Sequence, residues 1–266
     1  MQFVISAHGS VQGSDNEVVK MVMKIDCSGM YYRKLNKIIR DATEAGESEF
    51  ILDHVNGQRY IGSGINKKIK ITINGVPGND LAMFMNGPLI TVNANAQDGI
   101  ANTMNAGEII VHGDAGDVIG YGMRGGKIYI KGNIGYRTGI HMKEYKKQLP
   151  VIVAGGVACD FCAEYMAGGI LILLGLEKEG DMPITGDYLG TGMHGGVIYI
   201  RGGVDESMLG KEVSVLELDE KDLKLLKKHL AEFCEHFGFD LEEVMSKPFV
   251  KLLPVSSRPY GNLYAY

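Results

Sequence analysis

Short β-branched runs return along the middle of the chain: IKITI from Ile69, LITV from Leu89, EIIV from Glu108, KIYI from Lys127, PVIV from Pro150, ILIL from Ile170 and VIYI from Val197. A small residue ends each run, at Gly75, Ala94, Gly113, Gly132, Gly155, Gly175 and Gly202; the first four stand 19 apart, and gaps of 23, 20 and 27 follow. Met85, Met104, Met123 and Met142 keep the same step of 19, followed by Met166 and Met193. One strand per unit of about twenty residues predicts a solenoid. Ile71/Ile73, Ile90/Val92, Ile109/Val111, Ile128/Ile130, Val151/Val153, Leu171/Leu173 and Ile198/Ile200 occupy equivalent places. Residues two apart on a strand point the same way, so these pairs form an internal aliphatic ladder. The expected fold is mainly β, a parallel β-helix of seven coils, roughly 29 Å long at about 4.8 Å per rung. Gly113, Gly116, Gly120, Gly122, Gly132, Gly135 and Gly139 are its expected corner glycines, supplying positive φ and tight turns.

Between each inward pair stands one outward residue: Thr72, Thr91, Ile110, Tyr129, Ile152, Ile172 and Tyr199. The last five are large and apolar, where a solvated sheet face would be polar, so something covers them. Either the chain's own helices or a partner protein does so, which makes Ile110, Tyr129, Ile152, Ile172 and Tyr199 candidate interface residues.

The flanks follow other periods. Residues 1–48 read as a lead-in: a short strand at Phe3–Ile5, an apolar run ending at Ile25, then a helix carrying Tyr31, Leu35, Ile38, Ile39 and Ala42 on one face, with Ser28 as a cap and Gly46 as its end. FILDHV, Asn56-Gly57 and QRYIG form either a hairpin or the opening coil of the solenoid, which spans residues 49–204. Two insertions, Lys143–Leu149 and Glu177–Thr185, enlarge its loops. In residues 205–266, Asp219 and Asp222 can cap a helix with Leu223, Leu226, Leu230, Phe233 and Phe237 on one face and Gly238 at its end. A tail with Pro248, Pro254 and Pro259 is expected to run extended across another surface. The terminal helices are the natural caps of a solenoid's open ends.

Composition changes this picture little. A net charge of −5 and a pI near 5.8 leave no basic footprint for nucleic acid. No apolar run has membrane-spanning length and the N-terminus lacks a signal-peptide pattern, so a cytoplasmic protein is expected. Four cysteines in 266 residues are no disulfide framework.

Several motifs could carry chemistry. Gly120-Tyr-Gly-Met-Arg-Gly125 and Gly190-Thr-Gly-Met-His-Gly195 fit G-x-G-x-x-G, but a strand follows each where a dinucleotide site needs a helix. Cys159 and Cys162 form a C-x-x-C, yet they hold coil positions filled elsewhere by small or apolar residues, which favours buried thiols over a redox pair or metal site. The seven histidines show no zinc-enzyme spacing. Asp98, Asp117 and Asp160 share a coil position with Asn79; side chains bonding turn amides explain such a column more readily than a cation does. Neither a catalytic residue nor a cofactor or metal ligand is assigned to this chain.

The units G-x-x-x-G-x-x-M-x-x-G-G, the lead-in CSGMYYRKLNKIIRDA, and the runs NGQRYIG, PGNDLAMFMNGP, NAQDGIANTMN, HGDAGDVIGYGMRGG, GYRTGIHMKEY and AEYMAGG resemble the C-terminal GXGXG domain of the glutamate synthase large subunit, in stand-alone form. The resemblance covers Cys27 to Val204 and implies a right-handed β-helix without chemistry of its own. It implies partners as well: glutaminase-like and FMN-barrel polypeptides, with FMN and an iron–sulfur cluster bound by them and not by this chain, and room for a homo-oligomer. The repeat is also similar to that of the scaffold polypeptide of formylmethanofuran dehydrogenase, again a redox complex. An independent metal-binding or thiol-redox protein, using the Asp column or Cys159 and Cys162, is the reading from another class.

Overall fold

A computed structural model describes residues 22–176, 178, 180 and 182–255; the expected strand at Phe3–Ile5 and the end of the tail lie outside them. Nine strands stack in parallel in chain order: β1 (Met23–Asp26), β2 (Glu49–Asn56), β3 (Lys70–Val76), β4 (Asn86–Val92), β5 (Ala106–Val111), β6 (Gly126–Ile130), β7 (Pro150–Ala154), β8 (Ala167–Leu173) and β9 (Gly195–Arg201). Ile71, Ile90, Ile109 and Ile128 are successive register partners, as are Ile73, Val92, Val111 and Ile130. All eight are buried inside the tube. The expected parallel solenoid is therefore present, with about six turns between β3 and β9 where seven coils were expected. β2 pairs parallel with β3, so FILDHV opens the coil and makes no hairpin.

The register departs from expectation at β7. Ile128 faces Ile152 and Ile130 faces Ala154, a step of 24. Ile152 thus belongs to the interior ladder and Val153 to the outer face, the reverse of the sequence reading. The cause is the strand-ending marker: Gly155 stands one residue before the place that Gly132 holds, which Gly156 fills, so counting from Gly155 slips the register by one. The step from Met142 to Met166 is 24 and keeps the true register. Those methionines are anchored by a recurrent fit. A Cβ on Gly107, Gly126 or Gly196 would meet the methyl of Met85, Met104 or Met166 at 2.8, 2.4 and 2.5 Å, so each methionine tip fills the space that the next coil's glycine leaves.

Helix α1 (Tyr32–Ala45) buries Leu35, Ile39 and Thr43, one face at steps of four, against the first coils. It ends at Gly46 as expected, in a left-handed conformation. Its N-cap is Tyr31 rather than Ser28, whose hydroxyl and amide both bond the Asp26 carboxylate. Helix α2 (Glu220–Phe237) begins with the expected box, in which Asp219 accepts from the Asp222 amide and Asp222 accepts from that of Asp219. A short helix α3 (Leu241–Met245) follows. The chain also adds β10 (Val213–Leu216) before α2, and the tail returns as β11 (Phe249–Pro254), antiparallel to both β9 and β10. Those two strands finish the sheet at one end, and β1 finishes it at the other.

Candidate interaction surface

The apolar outer stripe is covered by the chain itself. Ile110, Tyr129, Val153, Ile172 and Tyr199 are buried in a second core with Leu226, Leu230, Phe233 and Cys234 of α2 and Val244 of α3. Two polar anchors pin the helix across it. The Tyr129 hydroxyl donates to the Glu232 carboxylate, which also meets Lys127 Nζ at 2.6 Å. Tyr199 donates to Asp222 at 2.6 Å, and Lys251 of β11 holds the same carboxylate. Burial pushes both tyrosine hydroxyls up, and the facing carboxylates add to it. Burial would raise Glu232 and Asp222 too, but the lysine and tyrosine donors outweigh it and hold both below the usual range. With α2 seated, Ile110, Tyr129, Ile172 and Tyr199 meet its side chains, and Ile152 points into the tube.

The corner on which the glycine motifs lie is differently built. In each coil, three alternate residues have φ between +52° and +77°: 99, 101, 103, then 118, 120, 122, then 137, 139, 141, then 161, 163, 165, then 188, 190, 192. Alternation turns successive amides in opposite directions. The first and third donate to the following coil, as Val118 N–H to Tyr136 O at 2.8 Å and Gly122 N–H to Ile140 O at 2.9 Å, whereas the middle one donates backward, Gly120 N–H to Ile100 O at 2.8 Å. The corner is thus a hydrogen-bonded ribbon. These bonds hold non-glycine residues such as Val118, Arg137, Phe161 and Tyr188 in a conformation that costs an L residue about 1–2 kcal/mol.

Geometry sorts the side chains at this corner. Middle positions face the interior, and a Cβ on Gly120 would come within 2.7 Å of Ile152 Cδ1, so only Gly or Ala stands there. Neighbouring positions face out. Tyr121, Tyr136, Tyr165 and Tyr188 are 41% to 55% exposed. His141 stacks on Tyr165 at 5.4 Å and meets Tyr121 edge-on at 5.8 Å; Phe161 stacks on Tyr188 at 4.9 Å. Arg137 lies 4.7 Å above Phe161 and pairs with Glu164 at 2.8 Å. An exposed aromatic column with an arginine, on a backbone that cannot flex freely, has the composition of interaction hot spots. Sequence reading missed it, because the tyrosines fall between the glycines that mark the repeat.

The remaining motifs have structural explanations. Asp98 accepts from the Asp117 amide at 3.0 Å, Asp117 from Tyr136 at 2.9 Å and Asp160 from Asp187 at 3.0 Å, so the acidic column bonds the backbone of the next coil. A companion column runs from Asn95 through Asp114 and Asn133. Gly120, Gly122 and Gly139 have the expected positive φ. Gly113, Gly116, Gly132 and Gly135 do not; they are small because a Cβ would strike an oxygen of these columns at 2.1 or 2.2 Å. Gly125 and Gly195, which complete the two G-x-G-x-x-G runs, would meet the carbonyls of Asn105 and Ala167 at 2.4 and 2.3 Å; β6 follows Gly125 directly and β9 begins at Gly195 itself. Cys162 is buried, its thiol pushed up to about 12 by desolvation; burial raises Cys159 as well. Neither is a ready thiolate. Among the described residues no three His, Cys, Asp or Glu side chains converge as metal ligands, and no helix is long and apolar enough to cross a membrane.

Comparisons agree with this geometry. The family model described as GXGXG motif matches residues 49–255. An uncharacterised protein of Methanocaldococcus jannaschii is 47% identical over 248 residues, 90% of this chain and 95% of that protein. Among solved structures, a chain of the formyltransferase/hydrolase complex FhcABCD from Methylorubrum extorquens, determined with methylofuran, is similar at a TM-score of 0.56 and 21% identity, covering 88% of this chain and 89% of that one. At that identity the likeness is one of fold. A stack of coils whose corners alternate left-handed residues, matched over most of its length by one family model, places this chain in the GXGXG motif family.

Proposed function

We propose that this chain is a non-catalytic scaffold subunit of a multi-subunit enzyme, holding partner polypeptides along the aromatic corner of its coils. The observation that carries this reading is that column: Tyr121, Tyr136, Tyr165 and Tyr188, with Arg137, exposed on a ribbon bonded to the coils on either side. A rigid surface loses little entropy when a partner seats on it, so its aromatic area converts efficiently into affinity. The assembly in question is glutamate synthase, with glutaminase-like and FMN-barrel polypeptides as partners and the FMN and iron–sulfur cluster carried by them. The runs from CSGMYYRKLNKIIRDA to AEYMAGG support it. A formyltransferase or formylmethanofuran-type assembly has equal support, from the fold of the FhcABCD chain.

Tagged full-length chain purified from its native extract tests both. Retention of glutaminase-like and FMN-binding polypeptides supports the first assembly, and formyl-transferring or molybdopterin subunits in their place support the second. Tyr121→Ser with Tyr165→Ser should release either set at least tenfold while leaving the circular dichroism of the coil unchanged. Full retention by that variant would remove the corner from the proposal.

A further inference from the structure

α1 turns Leu35, Ile39 and Thr43 toward the coils and shows its other face to solvent. That face carries Arg33, Lys37 and Arg40, all exposed, with Lys37 bonded to Asp41 at 2.5 Å. Exposed Arg59 stands beside it on the first coil, where Asn36 Nδ2 donates to its carbonyl at 2.8 Å. Among the described residues no carboxylate forms an ion pair with Arg33, Arg40 or Arg59. Three tyrosines lie among them: Tyr31, 61% exposed, sits 4.6 Å from Tyr32, which is 5.7 Å from Tyr60. The Arg33 guanidinium lies 5.9 Å from the Tyr32 ring, and its Nε donates to the Tyr32 hydroxyl at 3.3 Å. Between α1 and Tyr60 is a cleft of about 520 Å³, lined by Tyr32, Arg33, Asn36, Lys37, Arg40, Asp41 and Tyr60, its single carboxylate, Asp41, being the one that Lys37 holds.

Two features fix the chemistry of what fits. First, the cleft and its rim gather three guanidinium groups that, among the described residues, have no carboxylate partner, on a chain whose net charge is −5, so the local charge opposes that of the whole molecule. The Tyr32 hydroxyl registers this: its hydrogen bonds from Arg33 and Tyr31, and the nearby charges of Arg33 and Arg59, lower its pKa. Second, tyrosine and arginine together are the residue types that dominate protein interfaces, arginine because its planar fork pairs two oxygens of one carboxylate. A polyanion such as nucleic acid suits the site less well. Three arginines release few counterions, and the acidic remainder of the surface would repel the rest of a long phosphate chain.

We infer that this cleft is a second docking site, which takes an acidic polypeptide segment of a partner subunit, its Asp or Glu carboxylates on Arg33 and Arg40 and its remaining side chains over Tyr31, Tyr32 and Tyr60. The inference rests on the scaffold reading and adds a partner chemistry to it. It also places partners at two separate parts of the tube, the α1 end and the aromatic corner.

The test uses the tagged full-length chain in native extract with and without nuclease treatment, alongside Arg33→Glu/Arg40→Glu, Arg33→Lys/Arg40→Lys, and Lys221→Glu on the far helix α2. Circular dichroism checks folding of each. The charge-reversed chain should retain at least one partner polypeptide tenfold less than the parent, the lysine pair an intermediate amount, and Lys221→Glu the parental amount. Zero-length carbodiimide coupling of the parental complex should join Lys37 to an Asp or Glu of that same polypeptide. Equal retention by the charge-reversed chain, loss of the partner on nuclease treatment, or coupling of Lys37 to a second copy of this chain would each overturn the inference. If the parent itself retains nothing, the scaffold reading falls with it; if parent and charge-reversed chain retain partners alike, only the acidic docking site falls.

Discussion

Replacing Gly116 with alanine tests how the coils are held at their spacing. The backbone there has no positive φ, so the cost of a side chain is one of space alone. The new Cβ would lie 2.2 Å from Asp98 Oδ1 and 3.1 Å from the Asp98 nitrogen. To make room, the Asp98 carboxylate must leave its bond to the Asp117 amide, 3.0 Å long. Losing a charged hydrogen bond in a partly buried place costs about 1.5–3 kcal/mol, and incomplete relaxation against the Asp98 backbone adds about 1 kcal/mol. Alanine's smaller unfolded-state entropy returns about 0.5–1 kcal/mol. Gly116→Ala should therefore destabilise by about 2–3 kcal/mol. Asp98→Ala removes both the bond and the obstacle, so adding Gly116→Ala to it should cost at most about 0.5 kcal/mol more, a coupling of roughly 1.5–3 kcal/mol. Gly122→Ala is the contrasting case: its φ is +56° and the new Cβ finds only Thr103 Oγ1, at 3.7 Å. It should cost about 1–2 kcal/mol whether or not Asp98 is present. Urea denaturation followed by circular dichroism measures all of these. Additive losses for Gly116 and Asp98 would refute the idea that the side-chain column explains the glycine.

Other expectations follow from the covering helix and the thiols. Phe233 is fully buried between α2 and the outer stripe, so Phe233→Ala should cost about 3–5 kcal/mol and expose α2 to protease before the coils open; simultaneous cleavage of both would contradict it. His229 is buried with its Nδ1 unbonded, and burial lowers its pKa from 6.5 to about 4 despite Glu232 at 3.9 Å. The unfolded chain takes up that proton first, so this contribution is complete above pH 6.5 and fades as pH falls toward 4, by about 2 kcal/mol after allowance for solvent near the ring. His229→Leu should flatten stability between those two values, and an unchanged slope would be the contrary result. Cys162 should resist alkylation in the native protein at pH 8 and react once urea unfolds it; fast, paired reaction with Cys159 would restore the thiol-redox reading.

The sequence made the solenoid legible because its interior ladder and its methionine column repeat in step, and both reflect packing between adjacent coils. The slip at Ile152 and Val153 shows the limit of a single marker. Gly155 resembled the earlier strand-ending glycines, while the methionine step of 24 already carried the right register. The covering helix was half legible: its caps and the Leu226, Leu230 and Phe233 face were plain, but the expected Leu223 is 48% exposed while Asp222 and His229 are buried. Its partner across the stripe was hidden because Tyr129–Glu232 and Tyr199–Asp222 join positions 103 and 23 residues apart. The aromatic corner was hidden for a different reason. Residues such as Val118 and Phe161 have no intrinsic taste for a left-handed backbone, and only bonds to the neighbouring coils impose it. A pattern of every second residue, small in the middle and aromatic beside it, was the signal that could have revealed that corner.

Hydrogen exchange of the full-length chain, alone and within its native assembly, reaches the central question most directly. If the corner holds the partners, amides in residues 118–122, 137–141, 161–165 and 188–192 gain protection in the assembly, and those of α2 do not change. Protection gained on α2 instead, with the corner exchanging as in the free chain, would mean that partners meet the molecule on the opposite terms: through its cover and not through its coils.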